Sequence, residues 1–562
     1  MRLDELIAEA GRRHPDRPAV TDDRCTLTHA ALQARVAAAA AILHDAGVRR
    51  GVRVAALARN RAELLVTALA ASALGAAFVP LNTRLKPAEA GPLLRDADAS
   101  ILVAEPDLLA AVEAALPDTL LRLTLAPLAA VAPVAPAAFD TLAALDGCPR
   151  SAPIAPDVTD ADDVVQMYTS GTTGVPKGAL LSHGNLASFI EVWREETDLR
   201  GGADRVHVGT PLFHVGGLVM SLTALAAGAH VSLHAEFDPQ RALDALERQR
   251  ITHALFVPAM LRWMLLDPAV TTRSFPELRL IVYGAAPIPP AQLAEAMSVF
   301  RCGFLQGYGL TETTGAITVL RPADHVLPDG SAPHAGGMLP DRSALHAGGV
   351  LPDASAPRAD GATPGARAAA AQGASRLASA GRALRCCQLR VVDGDGGPVP
   401  PGGVGEVEVR GSNITRGYWR RPEADAETFR DGWFRTGDLA TQDADGYLVL
   451  VDRRKELILV GGENVYPRQA EEALLAHPAV AEAAVLGIPH AVWGEEVLAL
   501  VTLRAGATVG DRELIAHCRT RLADFRCPSR VEFRGTLPRN AAGKLDKRAL
   551  REPYWAGRER PL

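Results

Sequence analysis

Residues 168–183 read YTSGTTGVPKGALLSH, with four hydroxyls (Thr169, Ser170, Thr172, Thr173), three glycines (Gly171, Gly174, Gly178) and one lysine, Lys177. Such a set suits an anion, phosphate above all. Glycine permits backbone angles that let successive N–H groups turn toward one ligand, hydroxyls add donors, and lysine adds a mobile positive charge. Val164, Val165 and Met167 precede the loop and predict a strand running into it. The string departs from the common P-loop pattern, because Gly178 rather than Ser or Thr follows Lys177. Alone, a Gly/Ser/Thr-rich loop reads as a polar surface turn, so its meaning depends on the rest of the chain.

Five further segments carry chemically useful residues. Residues 283–287 read YGAAP after the apolar run LRLIVYG, and residues 306–314 read QGYGLTETT. Residues 431–439 read DGWFRTGDL, residues 452–467 DRRKELILVGGENVYP, and residues 537–547 LPRNAAGKLDK. Singly, each has an ordinary reading. YGLTE suits a helix start, RTGD a turn, and Lys544 a solvated surface lysine. His214, in TPLFHVGG, reads alone as a packed core histidine.

The elements that must position these residues alternate. The pattern predicts a helix over Ala31–His44, a strand over Val52–Leu57, a helix over Ala62–Leu74 and a strand over Ala76–Pro80. Strand–helix pairs recur around Val206–Leu225 and His230–Gln249, which predicts parallel sheets with helices on their faces. From Gly394 the texture changes to short alternating strands, with turns at Asp431-Gly432 and Asp445-Gly446. After Asp452 helix and strand mix again, and a second, smaller domain is expected to start there.

The chain has 562 residues, 48% hydrophobic and 22% charged, enough for a large core and more than one domain. A net charge of −6 argues against a general nucleic-acid binder. The seven cysteines form no C-x-x-C pair, and adjacent Cys386 and Cys387 are poorly placed for an ordinary disulfide, which fits a reducing compartment. The N-terminus carries acids and lacks the form of a signal peptide. The apolar stretch Leu64–Leu81 contains Thr67, Ser72, Gly75 and Pro80, and reads as a buried helix turning at Gly75 into a strand rather than a membrane span. A cytoplasmic protein without an integral membrane segment is expected.

One segment breaks the pattern. LPD recurs at 327–329, 339–341 and 351–353 within a stretch of about 321–375 rich in Ala, Gly and Pro. Each repeat offers too few apolar anchors for a solenoid unit, so a low-complexity loop is expected, with His325, His334 and His346 read as solvated loop histidines ahead of metal ligands.

Taken together and in this order, the segments resemble the adenylate-forming enzymes: acyl- and aryl-CoA synthetases, amino-acid adenylation domains and luciferases. The resemblance covers residues from roughly 10 to 553 apart from the repeats, and TSGTTGVPKG is highly specific to that family. It implies an α/β fold: a large N-terminal domain of layered α/β subdomains plus a small β-barrel (residues 1–451), and a mobile C-terminal α+β domain (452–562). It implies two steps, in which a carboxylate and MgATP give acyl-AMP and pyrophosphate, and a thiol then displaces AMP. It assigns the β- and γ-phosphates to Thr169, Ser170, Gly171, Thr172, Thr173 and Lys177, and Mg²⁺ to Glu312, a hard oxygen ligand of the kind this ion prefers. Thr311 would touch the α-phosphate, and Lys544 both the carboxylate and the α-phosphate. Tyr308 would stack on adenine beside the backbone of Gly284, Ala285 and Ala286. Asp438 would accept from the ribose hydroxyls, helped by Arg453. Lys455 stands at the hinge position, and rotation would bring Gly461, Gly462 and Glu463 to the thiol channel. Phe213 and His214 match an aromatic gate between acyl pocket and thiol channel.

Within the family, GYGLTE with GGENVYP looks most like a CoA ligase. The apolar stretches Val215–Leu225 and Val257–Leu266 point to a hydrophobic acid, fatty or aromatic, with CoA as acceptor. Two readings remain beside it. A fatty acyl-AMP ligase, or an adenylating enzyme serving a carrier protein, is suggested by the insertion after GYGLTE and by Arg385-Cys386 where relatives often have Pro-Gly. A catalytically inactive nucleotide-binding relative would be expected to lack Lys544, Glu312 or Asp438, and all three are present. Expected partners are thus a small carboxylic acid, ATP, Mg²⁺ and CoA, with no nucleic acid; a homodimer is left open.

Overall fold

The structure is a computed structural model that describes residues 2–125, 139–140, 157–169, 176–326, 376–453, 456–460, 463–490, 493–539 and 545–556. The expectations for Ser170–Thr173, the repeats at 327–375, Lys455, Gly461–Gly462 and Lys544 lie outside the described residues. At the start of the expected loop, His325 is buried rather than solvated, its Nε2 3.0 Å from the Tyr283 hydroxyl after the 3-10 turn Pro322–Asp324. By its internal contacts the chain divides into two compact units, residues 1–388 with 409–434, and residues 389–408 with 435–562.

The first unit is built on two large sheets. A seven-stranded sheet runs in the order Phe139–Asp140, Leu121–Thr124, Ala99–Ala104, Arg53–Leu57, Ala77–Pro80, Asp163–Thr169, Lys177–Ser182. Its pairs are parallel except the last, where Thr169 faces Lys177 across an antiparallel hairpin. A nine-stranded sheet runs Arg382–Ala383, Gly315–Leu320, Gly303–Leu310, Leu280–Gly284, His253–Phe256, Arg205–Val208, His230–Leu233, Pro18–Thr21, Thr26–Thr28. Its centre is parallel, as the strand–helix alternation predicts, and its outer pairs are antiparallel.

Local chemistry accounts for the helices between. Ala62–Ala73 is buried along nearly its whole length, so its uniformly apolar sequence reflects a core position. The chain leaves it through Gly75 at φ +68°, where a Cβ would approach Val158 to 2.6 Å. Thr28 caps His29–Asp45, and Ser182 with Asn185 forms a reciprocal cap on His183–Glu196. Gly228, left-handed at φ +75°, ends Val215–Ala227. Among the described residues no helix is long and apolar enough to cross a membrane.

The region from 387 to 453 supplies short strands. Phe429–Arg430 and the start of Trp433–Gln442 pair around Asp431-Gly432, whose φ values of +50° and +77° suit a tight hairpin turn. In the second unit Trp433–Gln442 pairs with Leu448–Arg453 through the turn at Gly446. That unit also contains a sheet ordered Glu463–Val465, Ile458–Val460, Gly494–Leu503, Val480–His490, with Arg530–Phe533 alongside Gly494–Leu503. The helices Pro467–Leu475, Asp511–Arg519 and Lys547–Trp555 complete it, giving the α+β composition expected of the C-terminal part.

Candidate active site

In the first unit, three segments distant in sequence meet at Glu312. The strand Gly303–Leu310 ends in a single 3-10 turn, Thr311–Thr313, that carries Glu312. Glu312 is 8% exposed. Its Oε1 accepts a 2.8 Å hydrogen bond from the Tyr418 hydroxyl and lies 3.4 Å from Thr169 Oγ1. Thr169 Oγ1 also lies 3.4 Å from the Lys177 carbonyl, and its single proton serves one acceptor at a time. Lys177 Nζ stands 5.3 Å from the Tyr418 ring centroid, within cation–π range. Burial, reinforced by the Glu312 charge, raises the Tyr418 phenol well above its ordinary value, so it remains a donor.

Residues 412–419 strap these parts together. The Thr415 N–H donates to the Glu312 carbonyl at 2.8 Å, and Asn413 Nδ2 donates to the Thr313 carbonyl at 3.0 Å. Thr314 Oγ1 returns a 2.6 Å bond to the Asn413 carbonyl. These bonds hold Thr314 at φ +58°, a left-handed conformation costly for a β-branched residue. On its other side the strap runs along the hairpin, with Leu180 N–H to Gly417 O at 3.1 Å and Trp419 N–H to Gly178 O at 2.8 Å. Asn185 Nδ2 pins it from the helix His183–Glu196, at 2.8 Å to Ser412 O and 2.9 Å to Ile414 O. The carboxylate is therefore located through its backbone and addressed by neutral hydroxyls.

Beside it, Gly284 faces Gly307 across the Leu280–Gly284 and Gly303–Leu310 strands. A Cβ on Gly284 would fall 2.2 Å from the Gly307 carbonyl, so close strand approach already requires glycine there. Ala285 follows at φ +63°, turning the chain out of the sheet. Tyr308 is buried, at 9% exposure. His214 precedes Val215–Ala227, its ring edge-on to Phe213 with centroids 4.7 Å apart.

In the second unit Asp438 and Arg453 occupy opposed positions on the Trp433–Gln442 and Leu448–Arg453 strands. Arg453 Nε donates to Asp438 Oδ1 at 2.9 Å, and the Asp438 carboxylate is largely buried. RTGD is part of a strand rather than the turn it resembles singly; Gly437, at φ +72°, kinks it. The register shifts between Leu439 and Ala440.

The structure thus brings Thr169, Lys177 and Glu312 together in one unit and Asp438 with Arg453 in the other. Tyr418, Asn413 and Thr415 were not legible as site residues, although GSNITRGYW shows a run of polar residues between two apolar elements. The apolar stretches 215–225 and 257–266 receive a further explanation. Val215–Ala227 packs into the main core of the first unit and Pro258–Leu265 into a second, so each also has a packing role.

Among the described residues no cluster of three metal-ligating side chains occurs. A lone buried carboxylate is a poor resident-metal site, but it fits Mg²⁺ that arrives on ATP phosphates and needs one or two protein oxygens.

The comparisons with known proteins agree with this construction. The AMP-binding enzyme model matches residues 7–346 and 361–419, and the AMP-binding enzyme C-terminal domain model matches 469–544. The chain belongs to the AMP-binding, adenylate-forming enzyme family. It is 38% identical over 544 residues to a feruloyl-CoA synthase from Amycolatopsis, covering 97% of each chain. It is 35% identical to the fatty acid–[acyl-carrier-protein] ligase ScoC of Streptomyces coeruleorubidus, covering 98% of this chain and 96% of that one. Among solved structures, ATP-bound MatB from Rhodopseudomonas palustris superimposes with TM-score 0.80 at 31% identity, over 99% of both chains.

Proposed function

We infer that the chain is an ATP-dependent carboxylic acid–CoA ligase of the AMP-forming type, working through an acyl-AMP intermediate. The observation that carries this is the buried Glu312 placed against the Thr169–Lys177 hairpin within a chain matching the family over both domains. A carboxylate is a poor electrophile and repels the ATP phosphates. The enzyme must screen that repulsion and stabilise charge on the α-phosphate and on departing pyrophosphate. In the proposed arrangement residues 169–177 hold the β- and γ-phosphates, and Glu312 holds the Mg²⁺ that accompanies them. Thr311 and Lys544 face the α-phosphate, and Tyr308 with Gly284–Ala286 holds adenine. Asp438 takes the ribose hydroxyls, which requires Arg453 to share its carboxylate. The proposed division into residues 1–451 and 452–562, hinged at Lys455, lets Lys544 serve adenylation and Gly462 the thiol step, with His214 at the thiol channel.

The acid is fatty or aromatic; the similarity to a feruloyl-CoA synthase places aromatic acids first in the assay. A second reading, transfer to a carrier protein, is favoured by the similarity to ScoC. We propose a cytoplasmic enzyme.

Pyrophosphate release across fatty acids, benzoates and cinnamates, with and without CoA, tests both. CoA-stimulated release with accumulating acyl-CoA is the expected result. Acyl-AMP that accumulates with CoA unused would transfer the assignment to the carrier-protein reading.

A further inference from the structure

The second unit contains a charged cluster that the reaction scheme leaves unused. Lys547, the first residue of the Lys547–Trp555 helix, lies 3.0 Å from Glu456 Oε2 and 2.8 Å from Glu471 Oε1. Its side chain is 14% exposed, and those of the two glutamates 20% and 16%. Burial opposes the ammonium, yet Glu471, Glu456 and Asp452 together hold its pKa above the ordinary value. Glu471 Oε1 also accepts from the Val485 N–H at 2.8 Å, and Asp452 Oδ2 from the Arg468 N–H at 3.0 Å. One side chain thereby joins the Lys547–Trp555 helix, the Pro467–Leu475 helix and Glu456, the residue next to Lys455.

The same lysine stands three residues after Lys544. Residues on either side of segment 540–544 are fixed to each other: Arg539 and Leu545 form an antiparallel bridge, and the Asp546 N–H donates to Pro538 O at 2.9 Å. Asp546 Oδ1 caps the helix at the Ala549 N–H, 3.0 Å away. The helix is seated by the Trp555 indole N–H on Gly487 O at 2.9 Å, and by Leu550 and Tyr554 against Leu486, Leu498 and Leu537. Packing therefore already holds this helix. A buried ion cluster adds little stability over apolar side chains of the same volume, but it fixes relative position with full charges. Its geometric yield here is the distance from the exit of segment 540–544 to the residue after the hinge.

We propose that Lys547 is a positioning residue for acyl-AMP formation: through Glu456 and Glu471 it ties the base of the Lys544 segment to the chain beside Lys455. The start of the Lys547–Trp555 helix, Glu456 and Glu471 are then held as one body. This rests on the reading of Lys544 as the adenylation lysine and Lys455 as the hinge.

The test uses the full-length chain carrying Lys547→Met or Lys547→Arg. Acyl-AMP formation from acid and MgATP, acyl transfer to CoA from supplied acyl-AMP, and thermal unfolding are measured separately. Misplacement of a reacting group by about 1 Å costs on the order of 100-fold, so Lys547→Met is expected to lower kcat for acyl-AMP formation roughly 10- to 100-fold. KM for ATP and CoA transfer should stay within about threefold, and Lys547→Arg should recover most of the loss because it keeps the charge. Equal loss of both half-reactions, an unchanged rate in folded Lys547→Met, or no recovery in Lys547→Arg would overturn the proposal. Where Lys547→Met does not fold, Lys547→Met/Glu456→Gln/Glu471→Gln carries the same test with both contacting carboxylates neutralised. Lys544→Ala separates the two levels. If it leaves acyl-AMP formation intact, the underlying reading falls and this proposal with it. If it abolishes acyl-AMP formation while Lys547→Met does not reduce it, this proposal alone falls.

Discussion

Glu312 and Glu456 are both carboxylates withdrawn from water, and the two units give them different partners. Glu312 receives two hydroxyls, from Tyr418 and Thr169, and among the described residues no cation pairs with it. Glu456 receives an ammonium, which holds its carboxyl below the ordinary range despite burial. Hydroxyls orient a carboxylate and leave its charge available to an incoming cation, whereas an ammonium satisfies the charge and leaves a fixed joint. The contrast separates a place built to exchange ligands from a place built to keep its shape.

The strongest way to break this contrast acts on Lys544, the residue that the joint is proposed to serve. Lys544→Ala is expected to lower acyl-AMP formation by roughly 10³-fold, the scale of losing a donor to developing charge, while CoA transfer to supplied acyl-AMP is retained. Pyrophosphate release and thioester formation, followed separately, check it; equal loss in both would remove the assigned role. Glu312→Gln comes next. The amide keeps an acceptor for Tyr418 and Thr169 but loses the charge, so acyl-AMP formation should fall about 10²-fold, matching the several kcal/mol a metal supplies. Near-normal turnover would mean that Glu312 merely accepts hydroxyls.

Tyr418→Phe removes one hydrogen bond to a charged group, worth about 1.5–3 kcal/mol at most, and should lower the rate about tenfold with no loss of folding. The smallest effect lies in the joint. Burial pushes Asp452 up to about 6 from its ordinary 3.8. The folded chain then binds more protons than the unfolded one between these values, so this group's contribution to stability declines as pH rises from about 4 to 6 and is flat above. Asp452→Asn should abolish that decline and raise Tm slightly at pH 7 to 8. Melting curves of both proteins across pH 4–8 decide it, with a shared slope as the contrary result.

Much of the architecture was legible because it is local. The strand entering the hairpin, the buried Ala62–Ala73 helix and the turn at Gly75 follow from periodicity and one glycine. Glu312, Asp438 and Arg453 were singled out through motifs, and the structure shows what each of them touches. What escaped depends on partners far away. Tyr418 meets Glu312 across 106 positions, and Asn413 meets Thr313 across 100, distances over which local pattern carries no information. Likewise Pro18–Thr21 pairs with His230–Leu233, a register no nearby residue announces. Lys547 was quoted within a motif, but its burial depends on Glu456 and Glu471, and a lysine opening a helix ordinarily faces water. The apolar run at 215–225 has a core position of its own, and a core helix and a pocket wall have the same composition.

The strap also sets an order of events during synthesis. Glu312 leaves the ribosome 106 residues before Tyr418 does. At roughly 5–20 residues per second the interval is about 5–20 s, long enough for the neighbouring strands to pair first. Throughout it the carboxylate has neither its phenol donor nor the Thr415 amide on its carbonyl. A nascent chain therefore acquires Glu312 with its full set of donors only once residues 412–419 have emerged, and a product terminated before them retains most of the first unit's strands while lacking those bonds.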